Sequence, residues 1–195
     1  MTAQKSDLLV LDQGKFLLLG VNGGNLFIPA RFGLHPIPST SACWRGCICQ
    51  YAVHADRLVL DELKVNLKPA DTAQPGLVGP AINGIQPVVP EDGIRRFNHQ
   101  YHQLNRMMPF SGGLLAGTGF IWDLYVHMGF HPAWKFRTVF ELIIFDGQVT
   151  EVRDVSETMA AIRAVMAQKP LEPDSHEAVD LSAWIASTFK LNYNL

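Results

Sequence analysis

The chain has 195 residues, 48% of them apolar and only 17% charged, with a formal net charge of −2 at pH 7. That length fits one domain, residues 1–195, able to bury a sizeable core. The near balance of 16 basic and 18 acidic residues gives no pull toward nucleic acid or an anionic membrane, and no stretch approaches the roughly 18 apolar residues of a membrane span.

The N-terminal stretch does not read as a signal peptide, because Asp12, Gln13 and Lys15 break its apolar runs. Cys43, Cys47 and Cys49 are odd in number and crowded together, which argues against a secreted disulfide framework and for a cytoplasmic chain. Phe16–Leu19 and Leu26–Ile28 flank Asn22-Gly23-Gly24-Asn25, a pattern that predicts a first hairpin. Cys47, Cys49, Tyr51 and Val53 alternate with Ile48, Gln50 and Ala52. After a turn at His54–Arg57, Leu63, Val65 and Leu67 share one face, so a second strand pair is expected with its cysteines in the core.

Residues 68–90 carry five prolines and three glycines and read as a long connection between two halves, 8–67 and 92–168. Ile94, Phe97, Tyr101 and Leu104 recur at helical steps, predicting a helix over 92–106. Its opposite face would carry Arg95, His99, His102 and Arg106, two guanidinium and two imidazole groups suited to a carboxylate or phosphate. A solvated polar face has the same appearance without any ligand. The stretch 118–128 fits both a helix face and an alternating strand; Thr118 as N-cap and Gly129 as terminator favour a short helix. The glycines of Gly112–Gly119 lack the context of a nucleotide loop and read as a turn or a close-packing spot.

Val139–Phe145 and the segment after Asp146-Gly147 predict another hairpin, followed by a helix over 156–168 capped by Ser156 and a last helix over 177–189. The expected fold is α+β: two antiparallel β-meanders, 8–67 and 110–155, packed as a sandwich or a strongly bent sheet, with a middle helix and two C-terminal helices.

Two segments, Gly33-Leu-His35-Pro36 and Gly129-Phe-His131-Pro132, each precede a tryptophan and a basic residue. A shift of 90 residues lays the second strand pair on the third without a gap and makes four identities over Trp44–Val65, which raises an internal repeat. Gly and Pro in these segments are explained by turn chemistry, with positive φ expected at Gly33 and Gly129. His131 and Trp134 nonetheless join Arg95, His99, His102 and Arg106 as candidate ligand-binding residues.

No metal motif, nucleophile–base pair or cofactor loop is present, so no metal or cofactor is expected. The sequence favours a non-enzymatic β-rich binding module for a protein partner, of an inhibitor or immunity type. The competing reading is a small-molecule binder or enzyme with a His/Arg-lined pocket between the halves. Low surface charge leaves room for homo-oligomerisation.

Overall fold

The computed structural model describes residues 2–68, 79–90, 97–166 and 193. The first strands, β1 (Leu8–Leu11) and β2 (Gly14–Asn22), pair across a turn at Asp12-Gln13. Phe16 and Leu18 of β2 face the core and Leu17 and Leu19 face away. A bulge between Leu18 and Gly20 restores Val21 to the inner side. Leu26–Ile28 is therefore not the partner of Phe16–Leu19, as the Asn-Gly-Gly-Asn signal suggested. The chain leaves the sheet at Gly23, where a Cβ would strike the carbonyl of Ser111.

β3 (Cys47–His54) and β4 (Arg57–Val65) form the expected pair, turning at Ala55-Asp56 with φ of 47° and 58°. Cys47, Cys49 and Tyr51 point into the core. On β4 a bulge at Asp61 lets Leu58 and Leu60 on one side of it, and Leu63 and Val65 on the other, all reach that core. Next come β5 (His99–Tyr101), β6 (Arg106–Met107), β7 (Gly112–Phe120), β8 (Phe136–Phe145) and β9 (Gln148–Asp154). One α-helix is present among the described residues, α1 (Ser156–Met166).

All nine strands belong to one mixed sheet, in which β1 and β3 run parallel. The order β3-β1-β2-β7-β8-β9-β4 closes into a ring because β4 also pairs with β3. The seam between β9 and β4 is short: Arg57 faces Gln148, and the amides of Leu58 and Val149 donate to the carbonyls of Gly147 and Asp56. β5 and β6 take up the rest of that edge of β4. Side chains fill the inside, as a small closed sheet requires.

A smaller cluster lies on the outside of β2, β7 and β8, where Leu19, Leu115, Phe136 and Val139 meet Met159 of α1. The glycines of β7 permit this approach: a Cβ at Gly117 would sit 2.5 Å from Leu19 Cδ1. The helix starts where expected, but Asp154 rather than Ser156 supplies the capping acceptor; its carboxylate takes the Ser156 amide, while Ser156 Oγ accepts from Val139 N.

Several expectations are overturned. The halves do not form separate antiparallel meanders, since β2 of the first lies beside β7 of the second and all nine strands share one mixed sheet. The helix over 92–106 is absent in its described part. Val65 to Leu63 of β4 need an edge partner and take His99–Tyr101, and Gln103 and Asn105 adopt φ of 52° and 45°, which no helix contains. Tyr101 and Leu104 are fully buried from a strand and a turn instead. The helix over 118–128 shrinks to a 3-10 turn at Trp122–Leu124, because Thr118 and Phe120 pair with Thr138 and Phe136.

The ungapped repeat also fails in register. Ala55-Asp56 and Asp146-Gly147 are the paired turn centres, so the hairpins correspond by a shift of 91, and Asp56 falls on Gly147 rather than Asp146. A slip of one residue exchanges the two faces of a strand. The last predicted helix, 177–189, lies outside the described residues. No helix among those described is long and apolar enough to cross a membrane.

Candidate functional site

The connection from Phe120 to Phe136 gathers the largest exposed aromatic surface described. Its ends are pinned as β7 and β8 pair, and Ile121 N donates to Lys135 O at 2.9 Å. The carbonyls of Trp134 and Phe136 accept from the Arg163 guanidinium of α1, at 2.7 and 2.6 Å. Gln4 N bonds the Gly129 carbonyl on the far side. A rigid frame therefore presents the loop.

Phe120 sits at the centre of a ring cluster. Trp122 meets it edge-on at 5.3 Å, Phe136 at 5.2 Å, Tyr125 at 6.4 Å, and the His131 imidazole lies 4.6 Å from it. The base of the cluster is buried and its outer members are not: Trp122 is 76% and Tyr125 42% exposed. The Tyr125 hydroxyl and His127 Nδ1 are 2.8 Å apart at the rim.

Below the rings, burial holds the His131 imidazole down to about 4, with the positive charge of Lys135 acting in the same direction. The ring is thus neutral at pH 7. Lys135 is itself only 5% exposed, and burial lowers its pKa. Its ammonium rests over the Trp134 ring, 5.3 Å from the centroid. Two of the expected residues, His131 and Trp134, therefore share one neighbourhood.

The other four do not join them. His99 is buried on β5, where Asn98 Oδ1 accepts from Leu67 N and lies 2.6 Å from His99 Nδ1. Asn98 Nδ2 donates to Leu67 O, which fixes the amide, so Nδ1 of His99 carries the proton. His102 is exposed and sits 3.8 Å from Glu62. Arg106 lines a separate cleft with Arg31. Arg95 lies outside the described residues. The one-face stripe dissolves because its described part, 97–106, is not helical.

Sequence reasoning passed over Phe120, Trp122, Tyr125 and Lys135. The run Phe-Ile-Trp-Asp-Leu-Tyr alternates like a buried strand, and nothing local shows that it leaves the sheet at Phe120. A second polar cluster joins the N-terminal segment to the start of β3. Asp7, with its side chain 7% exposed, accepts from Arg45 Nη1 and Nη2 at 2.8 and 3.1 Å and from Cys49 N at 2.8 Å. Burial opposes the Arg45 charge, but Asp7 more than offsets it and raises the guanidinium pKa. Arg45 also covers the Phe130 ring of the second Gly-x-His-Pro segment, 5.5 Å from its centroid. The three thiols are buried and unbridged; burial pushes Cys43 and Cys49 up, while the neighbouring Cys49 thiol lowers Cys47.

Among the described residues, no three His, Cys, Asp or Glu side chains converge as a metal site. The aromatic loop offers stacking surface, one carboxylate at Asp123 and a neutral imidazole, with no nucleophile hydrogen-bonded to His131 among the described residues. Comparison with protein-family models, with curated proteins and with solved structures finds no match to this chain.

Proposed function

We propose that this chain is a non-enzymatic binding module that recognises a protein partner through the loop Phe120–Phe136, as an inhibitor or immunity-type factor does. The supporting observation is Trp122: an indole 76% exposed, yet held by a 3-10 turn and the Phe120 ring. Pre-ordered aromatic anchors are the side chains that dominate protein interfaces. From Ile121 to Trp134 the loop carries one acidic residue, Asp123, and no Lys or Arg. Its complement is a partner loop that brings an arginine or lysine onto the Trp122 and Tyr125 faces, with Asp123 as acceptor.

The test is capture from the native source, followed by reconstitution of the captured protein with this chain from purified components. Trp122→Ala should weaken the reconstituted complex roughly 30-fold or more, the size of an interface anchor. Phe145→Ala, equally exposed but at the far hairpin, should leave it unchanged. Binding unaffected by Trp122→Ala, or self-association as the sole complex formed, would overturn the reading.

A further inference from the structure

A second concave surface shares no residue with the aromatic loop. After β2 the chain folds back through Leu26–Phe32, where Phe27 and Phe32 stack at 5.3 Å and a 3-10 turn, Pro29–Phe32, ends in the left-handed Gly33. This turn places Arg31 on the outer side. The facing wall is β6 and the strand-like run after it. Arg106 and Met107 pair with Leu60 and Val59 of β4, Met108 N bonds Leu58 O, and Gly147 N bonds Phe110 O. Between the walls lies a cleft of about 210 Å³, room for about seven waters' share of liquid volume.

Its lining includes Leu26, Phe32, Met107 and Phe110 with Asn25 and the two arginines, and no Asp, Glu or Lys is among the lining residues. Both guanidinium groups are exposed, and neither has a carboxylate partner among the described residues. A lone surface arginine needs no ligand. Two lining one concavity of mixed polar and apolar surface present N–H forks to whatever fills it. We infer that this cleft binds a small organic carboxylate with a compact apolar body, its carboxylate clamped by Arg31 and Arg106 and its body resting on Phe32, Met107 and Phe110. A compact ligand of about ten non-hydrogen atoms suits so small a cleft.

The probe is 3-phenylpropanoate, followed by calorimetry and by backbone amide shifts. Saturable binding with a Kd on the order of 1 mM is expected for a ligand of this size. The neutral 3-phenylpropanamide should bind at least about tenfold more weakly, as should the acid to Arg31→Gln or Arg106→Gln. Arg31→Lys, which keeps the charge without the fork, should fall between. Both positions are exposed, so unfolding curves of the variants should overlay the parent and separate lost binding from lost fold. Equal affinity for acid and amide, undiminished binding by both glutamine variants, or no saturable response to the acid would overturn the inference. Tenfold tighter binding of phenyl phosphate would overturn its assignment to carboxylates.

Discussion

Gly33-Leu-His35-Pro36 and Gly129-Phe-His131-Pro132 share a sequence pattern and the conformation of their glycine. Both glycines are left-handed, with φ of 67° and 61°. Their histidines live in different worlds. His35 is exposed, whereas His131 is half-buried against Phe120 and Tyr125 and beside a buried lysine. The residue between Gly and His differs too: Leu34 is core, while Phe130 lies under the Arg45 guanidinium. Local chemistry sets the turn in both places, and the neighbours brought by the sheet set what each histidine can do.

The Asp7–Arg45 pair beside Phe130 can be broken outright. Asp7→Ala takes the carboxylate from a half-buried arginine and leaves the Cys49 amide without its acceptor, and should cost about 3 kcal/mol in urea unfolding. The next effect is smaller and depends on pH. Because the folded pKa of His131 is depressed, the unfolded chain binds more protons between about pH 4 and 6.5. Stability is therefore complete above that window and falls as the pH drops through it, by on the order of 2–3 kcal/mol. Burial depresses His99 in the same direction. Denaturation at several pH values should show His131→Phe losing much of the slope; a slope equal to the parent's would contradict the buried environment.

Lys135→Met should raise the His131 midpoint by removing the nearby positive charge, seen by histidine proton NMR. Smaller still, Gly33→Ala should cost only about 1 kcal/mol in thermal unfolding, the left-handed backbone alone, since the nearest atom to its Cβ is Pro80 Cγ at 3.9 Å. Replacing exposed His35 with Ala should stay within about 0.5 kcal/mol by the same assay.

The features legible in the sequence are those set by near neighbours along the chain. The turns at Ala55-Asp56 and Asp146-Gly147, the inward cysteines of β3, the glycine conformations and the start of α1 all follow from period and turn chemistry. The failures are non-local. Tyr101 and Leu104 have helical spacing, but β4 offers an edge that a strand satisfies. Asn22–Asn25 spells a hairpin, but β2 already has β1 and β7 on its two sides. His131 and Trp134 were visible as residues. The burial of Lys135 and the exposure of Trp122 were not, since both depend on where β7 ends and α1 packs. The cleft between Arg31 and Arg106 joins segments with no common local signal.

One histidine titration by proton NMR, following all seven imidazoles together, tests the difference between the two segments most directly. His131, assigned through His131→Phe, should titrate near pH 4. A midpoint near 6.5 would show an imidazole as open to water as any on the surface, and would contradict the aromatic loop as a packed, pre-ordered site.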